Sequence, residues 1–132
     1  MSETEKPPPP PRYAEGLRRY KAGDREGALA FFADLARSLP GDAQAHYFQG
    51  LILFRLERYA EAQAPLRRSA DLVPGEDAFV KLAMAQGQTG DLQACLATLE
   101  EAARRLPGSA GVRAYLGTTL RSLDRVEEAL EA

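Results

Sequence analysis

From Gly50 to Pro74 the chain reads GLILFRLERYAEAQAPLRRSADLVP, and this stretch decides the fold. Gly50 is followed twelve residues later by Ala62, and the segment closes on Pro74. Twelve residues exceed the spacing of contacts along one helical face. They suit a helix, a tight turn and the start of a second helix that packs back on the first. The same interval recurs outward in both directions, joining Gly16 to Ala28, Ala83 to Cys95 and Gly117 to Ala129. The prolines repeat with it. Pro40, Pro74 and Pro107 stand 34 and 33 residues apart, each followed by glycine, a pairing that ends helices. A period of this size indicates a repeat architecture, in which each unit buries its apolar face only against its neighbours.

The turns fall where this reading needs them. Gly23-Asp24 and Gly90-Asp91 supply a helix-ending glycine and a capping aspartate, and Asp124 with Glu127 reads as a capping box. Glu57-Arg58 occupies the equivalent place without a glycine. Apolar residues such as Leu82, Ala83 and Ala85, or Leu99, Ala102, Ala103 and Leu106, recur with the helical period, and no useful length alternates with period two. The expected first helices lie at 11–22, 43–56, 76–89 and 109–122. Their partners are expected at 25–38, 59–72, 92–105 and from 125 onward. The fold class is all-α.

The order of a small residue, an alanine twelve later, a large apolar residue four beyond it and a closing proline resembles the tetratricopeptide repeat family. It is carried by Gly16, Ala28, Phe32 and Pro40; by Gly50, Ala62, Leu66 and Pro74; by Ala83, Cys95, Leu99 and Pro107; and by Gly117 and Ala129. Cys95 stands where alanine is usual and Arg19 where an apolar residue is usual. The resemblance implies a right-handed superhelical solenoid of antiparallel helix pairs, with three full repeats and a partial fourth. The units would be about 9–42, 43–75, 76–109 and 110–132; the run of prolines makes 1–10 a disordered or extended proline-rich arm, after which Pro11 can open the first helix.

Composition narrows the function. Of 132 residues, 17 are Lys or Arg and 19 Asp or Glu, so the net charge of −2 offers no attraction to nucleic acid. A single cysteine and a single histidine, Cys95 and His46, preclude an internal disulfide and a multi-histidine metal centre. No nucleophile, base and oxyanion donors converge at a readable spacing, so the chain reads as neither an enzyme nor a cofactor binder. Met1 to Lys6 is polar and runs into Pro7, without the apolar core of a secretory signal, and Leu51–Phe54 is far too short to cross a bilayer. A cytoplasmic location without membrane attachment is the expectation. The pairs Arg18-Arg19, Arg67-Arg68 and Arg104-Arg105 read as solvated faces rather than a phosphate site.

By the resemblance, binding residues line the concave surface formed by first helices. Here these are Tyr13, Leu17, Tyr20 and Lys21; Tyr47, Leu51, Phe54 and Arg55; Val80, Lys81, Met84 and Gln88; and Thr118 and Arg121. The first two rows are strongly apolar and suit a protein partner, either a peptide or an amphipathic helix. The family's clamp for acidic chaperone tails requires lysine, asparagine and arginine. The matching places hold Tyr13, Leu17, Phe48, Asp77 and Lys81, of which only Lys81 keeps the charge. An interaction scaffold is the leading reading. The targeting domain of a larger enzyme such as a transferase and a secretion-type chaperone are the alternatives, and the incomplete last repeat offers a surface for self-association.

Overall fold

Capping side chains and left-handed turns set the rhythm of the chain. The computed structural model describes residues 11–131; the arm at 1–10, Ala132 and the side chain of Ala129 lie outside the described residues. Helix α1 spans Pro11–Lys21, α2 Arg25–Ser38, α3 Ala43–Arg55, α4 Tyr59–Leu72, α5 Glu76–Gln88, α6 Leu92–Arg105 and α7 Ala110–Glu131. The described residues contain no strand. Asp24 accepts from the Gly27 N–H at 2.9 Å, Asp42 from Gln44 and Ala45 at 3.0 and 3.2 Å, and Asp91 from Ala94 at 3.0 Å. Each satisfies amides that the first helical turn leaves without partners. Pro11 is the first residue of α1, where its missing N–H costs nothing. Within pairs the chain turns through Gly23 (φ 89°) and Gly90 (φ 86°), while at the equivalent place Glu57 adopts φ 60°.

Helices pack in chain order, each on the next, and α3 also touches α5 as α5 touches α7. The odd-numbered helices therefore share one layer of an all-α solenoid. Its core is a string of clusters. Tyr13, Ala28, Phe32 and Ile52 form one, Leu53, Ala62, Leu66 and Leu82 the next, and Ala70, Ala78, Phe79, Ala102 and Val112 another; Ala83, Cys95 and Leu99 form the last. The small residues at Gly16 and Gly50 are needed for close approach of the second helix. A Cβ added at Gly50 would sit 2.6 Å from Leu66 Cγ, and one at Gly16 would sit 2.5 Å from Phe32 Cζ. The glycine thus receives the large residue four beyond the alanine. A polar chain, buried at Gln86 and Thr98 and half-buried at Arg67 and Glu101, ties α4, α5 and α6 together: Thr98 donates to Gln86 Oε1 at 2.7 Å, and Arg67 reaches Thr98 at 3.5 Å and Glu101 at 2.9 Å.

The last unit departs from expectation. Helix α7 runs unbroken from Ala110 to Glu131, so no turn forms at Asp124 and no capping box with Glu127. By register, Asp124 holds the place of Gly23 and Gly90. Glu57 tolerates that conformation because the core formed by α4 holds it there; the residues after Asp124 bury too little to do the same. Leu120, Val126 and Leu130 are 45%, 47% and 82% exposed. A Cβ added at Gly117 would lie 3.8 Å from Arg121 Nη1.

Candidate functional site

The apolar rows expected on the first helices part company in three dimensions. Leu17 and Tyr20 of α1 come together with Leu51 of α3 around a cleft of about 140 Å³, completed by Phe32, Phe48, Ile52 and Arg55. Phe32 and Ile52 belong to the buried cluster that forms its floor, while Leu17, Tyr20, Phe48 and Leu51 are half-buried on its walls. Its walls come from both first helices, which also pack directly through Tyr13 of α1 on Phe48 of α3. Helix periodicity puts Leu17 and Tyr20 one turn apart on α1, facing Leu51 and Arg55, which are one turn apart on α3.

Tyr13 is not part of this wall. It is 6% exposed, and its hydroxyl donates to both Asp42 carboxylate oxygens, at 2.7 and 2.8 Å. Burial, then the hydrogen bond to Asp42 and the negative charge beside it, push its pKa up to about 12. The reason for the correction is non-local: Tyr13 closes the end of the first core cluster and braces the cap of α3. Tyr47, one unit later, is half-buried and packs on two clusters. It borders a separate, larger cavity of about 480 Å³ that includes Ser69, Val73, Glu76 and Asp77. Burial, and then the Asp77 carboxylate, raise its pKa. Phe54 turns toward α4 and meets the Tyr59 ring edge-on at 5.2 Å.

Val80, Lys81 and Met84 are half-buried on α5, with Val80 against the cluster of Phe79 and Val112. Gln88 and Thr118 are exposed, as is Arg121, which donates to Thr118 Oγ1 at 3.3 Å. One neighbour of Tyr20 that sequence reasoning missed is Arg25. It is the first residue of α2, and its guanidinium carbon lies 5.9 Å from the centroid of the Tyr20 ring. The signal lay in the register: the equivalent places hold Tyr59 and Leu92, both apolar in character, so a cation there is the exception.

The paired arginines form no basic stripe. Arg18 and Arg19 both bind Glu15, at 2.6 and 3.0 Å, and Arg67 and Arg105 both reach Glu101, at 2.9 and 3.4 Å. His46 Nε2 meets the Pro40 carbonyl oxygen at 2.9 Å. Cys95 is buried, and burial raises its pKa, as suits a thiol serving as a small hydrophobe. Among the described residues no group of His, Cys, Asp and Glu could hold a metal ion, and no helix is long and apolar enough to cross a membrane.

Comparison with known proteins decides the family. The profile of the tetratricopeptide repeat matches residues 13–77 and 80–132. The chain belongs to the tetratricopeptide repeat family. Solved structures agree at the level of fold. The second tetratricopeptide domain of human RPAP3, in complex with the HSP70 peptide SGPTIEEVD, is 17% identical, with 82% of this chain and 91% of that one covered and a TM-score of 0.71. The TPR2B domain of yeast Sti1 in its pHsp70 complex is 20% identical, covering 84% and 94% with a TM-score of 0.70. The type III secretion translocator chaperone SycD of Yersinia enterocolitica is 17% identical, covering 92% and 84% with a TM-score of 0.70. Comparison with curated proteins finds no match. In this tetratricopeptide chain the cleft lies on the layer of first helices.

Proposed function

We propose that this tetratricopeptide chain is a non-catalytic scaffold that binds a peptide or an amphipathic helix of another protein. The site is the groove along its first helices, anchored at the α1–α3 cleft. The observation that carries the reading is the cleft itself: six apolar or aromatic side chains around about 140 Å³, four of them only half-buried. Apolar surface left open in this way gains from a ligand side chain that covers it. The RPAP3 and Sti1 domains, bound to chaperone peptides, support peptide binding on this fold as a class. The ligand itself does not carry over, because the places of their family's carboxylate clamp hold Tyr13, Leu17, Phe48, Asp77 and Lys81 here. A buried carboxylate there would lack partners for its hydrogen bonds and charge.

The test is affinity purification of partners with the full chain and with Leu51→Gln, each checked for unchanged helicity by circular dichroism. Partners retained by the first and lost by the second support the groove. Equal recovery with both would place binding elsewhere.

A further inference from the structure

The charges around Tyr20 indicate what kind of ligand the cleft takes. The Arg25 and Arg55 guanidinium carbons lie 5.9 and 6.0 Å from the centroid of the same Tyr20 ring, one from α2 and one from α3. Both side chains are exposed, and no described carboxylate lies within 4.0 Å of either. Arg18, Arg19, Arg58, Arg67 and Arg105 have carboxylate partners, whereas Arg25 and Arg55, like Arg68 and Arg104, have none among the described residues. Arg55 ends α3, where a cation complements the helix dipole. Arg25 begins α2, the end at which the dipole disfavours a cation, so local helix energetics do not account for it. In the next unit the same register pairs Phe54 with the Tyr59 ring, so here a guanidinium stands where an aromatic ring stands there.

Size limits the occupant. Pockets for whole small molecules run to about 300–1,000 Å³. A cleft of about 140 Å³ instead holds one apolar side chain. Arg55 and Tyr20 themselves form part of its rim, so an anion bound by the Arg55 guanidinium lies beside that side chain. At roughly 3.3–3.6 Å of extended chain per residue, one or two residues bridge the distance.

We propose that the α1–α3 cleft recognises an acidic peptide motif: a large apolar side chain seated between Leu17, Tyr20 and Leu51, with a glutamate or aspartate one or two residues away bound by Arg25 and Arg55. This rests on the groove reading above and specifies its ligand. Arginine clusters supply planar donors matched to carboxylates, and the guanidinium carbons of Arg25 and Arg55 already lie 5.9 and 6.0 Å from the Tyr20 ring centroid before the ligand arrives.

The experiment is selection of a random twelve-residue peptide library on the full chain, with counter-selection on Leu51→Gln. Cleft-dependent peptides should be enriched in a large apolar residue followed or preceded within two positions by Asp or Glu. Replacing that acid with its amide, or testing Arg25→Gln or Arg55→Gln with helicity unchanged, should weaken binding roughly threefold to tenfold, and Arg→Lys less. Added salt should weaken the acidic peptides more than their amide forms. Cleft-dependent peptides without acidic enrichment, or indifferent to both arginine variants, overturn this inference and leave the groove standing. Failure to enrich any peptide that depends on Leu51 overturns both.

Discussion

At the scale of the residue, two positions carry more than their place in the repeat suggests. Asp42 caps α3 through two amides, receives the Tyr13 hydroxyl and lies 3.4 Å from Arg12 Nη1. Burial acts to raise its pKa, but the hydrogen bonds from Tyr13 and the Ala45 amide, with the Arg12 charge, outweigh it, and the net shift is downward. A depressed carboxylate contributes stability that is present above the unfolded value, near 3.9, and is lost as pH falls through the lower folded one. Asp42→Ala should therefore cost about 1–2 kcal/mol in urea unfolding near neutral pH, with the difference shrinking below about pH 4. Glu57 presents the opposite case. Its φ of 60° is a conformation that glycine adopts without strain, and Gly23 and Gly90 fill the equivalent turns. Glu57→Gly should stabilise the chain by about 1 kcal/mol, seen as a raised urea midpoint with unchanged slope.

At the scale of the element, α7 is two different things along one axis. Its first half is held: Val112 and Thr119 are buried, and Tyr115 and Leu116 pack on Cys95 and Leu99. Its second half carries Val126 and Leu130 exposed. Arg125→Pro should therefore remove helical circular dichroism from the last turns while shifting the thermal midpoint little, since no packing is lost with them. Leu116→Ala should cost about 2 kcal/mol or more, because it opens a gap in the last core cluster. A large loss of stability from the proline would mean that the end of α7 packs on something. The same element shows where local rules stop. Asp24, Asp42 and Asp91 open helices because each precedes residues that bury against a neighbour, whereas Asp124, with as good a capping pattern, lies inside a helix.

For the whole molecule, the core is a string of clusters rather than one centre, so stability is a sum of neighbour terms and interior helices have neighbours on both sides. Native-state hydrogen exchange should accordingly find the strongest protection in α4 and α5, with the Gln86–Thr98 bond inside, and the weakest at the exposed end of α7. Uniform protection across all seven helices would point to a single cooperative core instead. The arrangement also explains why the groove is uneven. Between α3 and α5, Val80 packs on the cluster of Phe79 and Val112 while a cavity opens beside Tyr47, Glu76 and Asp77. Between α1 and α3, Tyr13 packs on Phe48 while Leu17, Tyr20 and Leu51 surround a smaller cleft.

The sequence by itself determined the repeat, the helix pairs, six of the seven helices to within a residue at each end, and the small positions at Gly16 and Gly50. These depend on neighbours along the chain: periodic burial, capping aspartates, glycine after a helix, proline beyond it. Leu17, Tyr20 and Leu51, expected on one face of the solenoid, come together around one cleft. Only the tertiary structure decided that Tyr13 serves the core, that Tyr47 borders a different cavity, that Arg25 joins Arg55 at the Tyr20 ring, and that α7 does not turn. Each of these depends on residues distant in sequence and close in space, where burial and charge compete in ways no local pattern encodes.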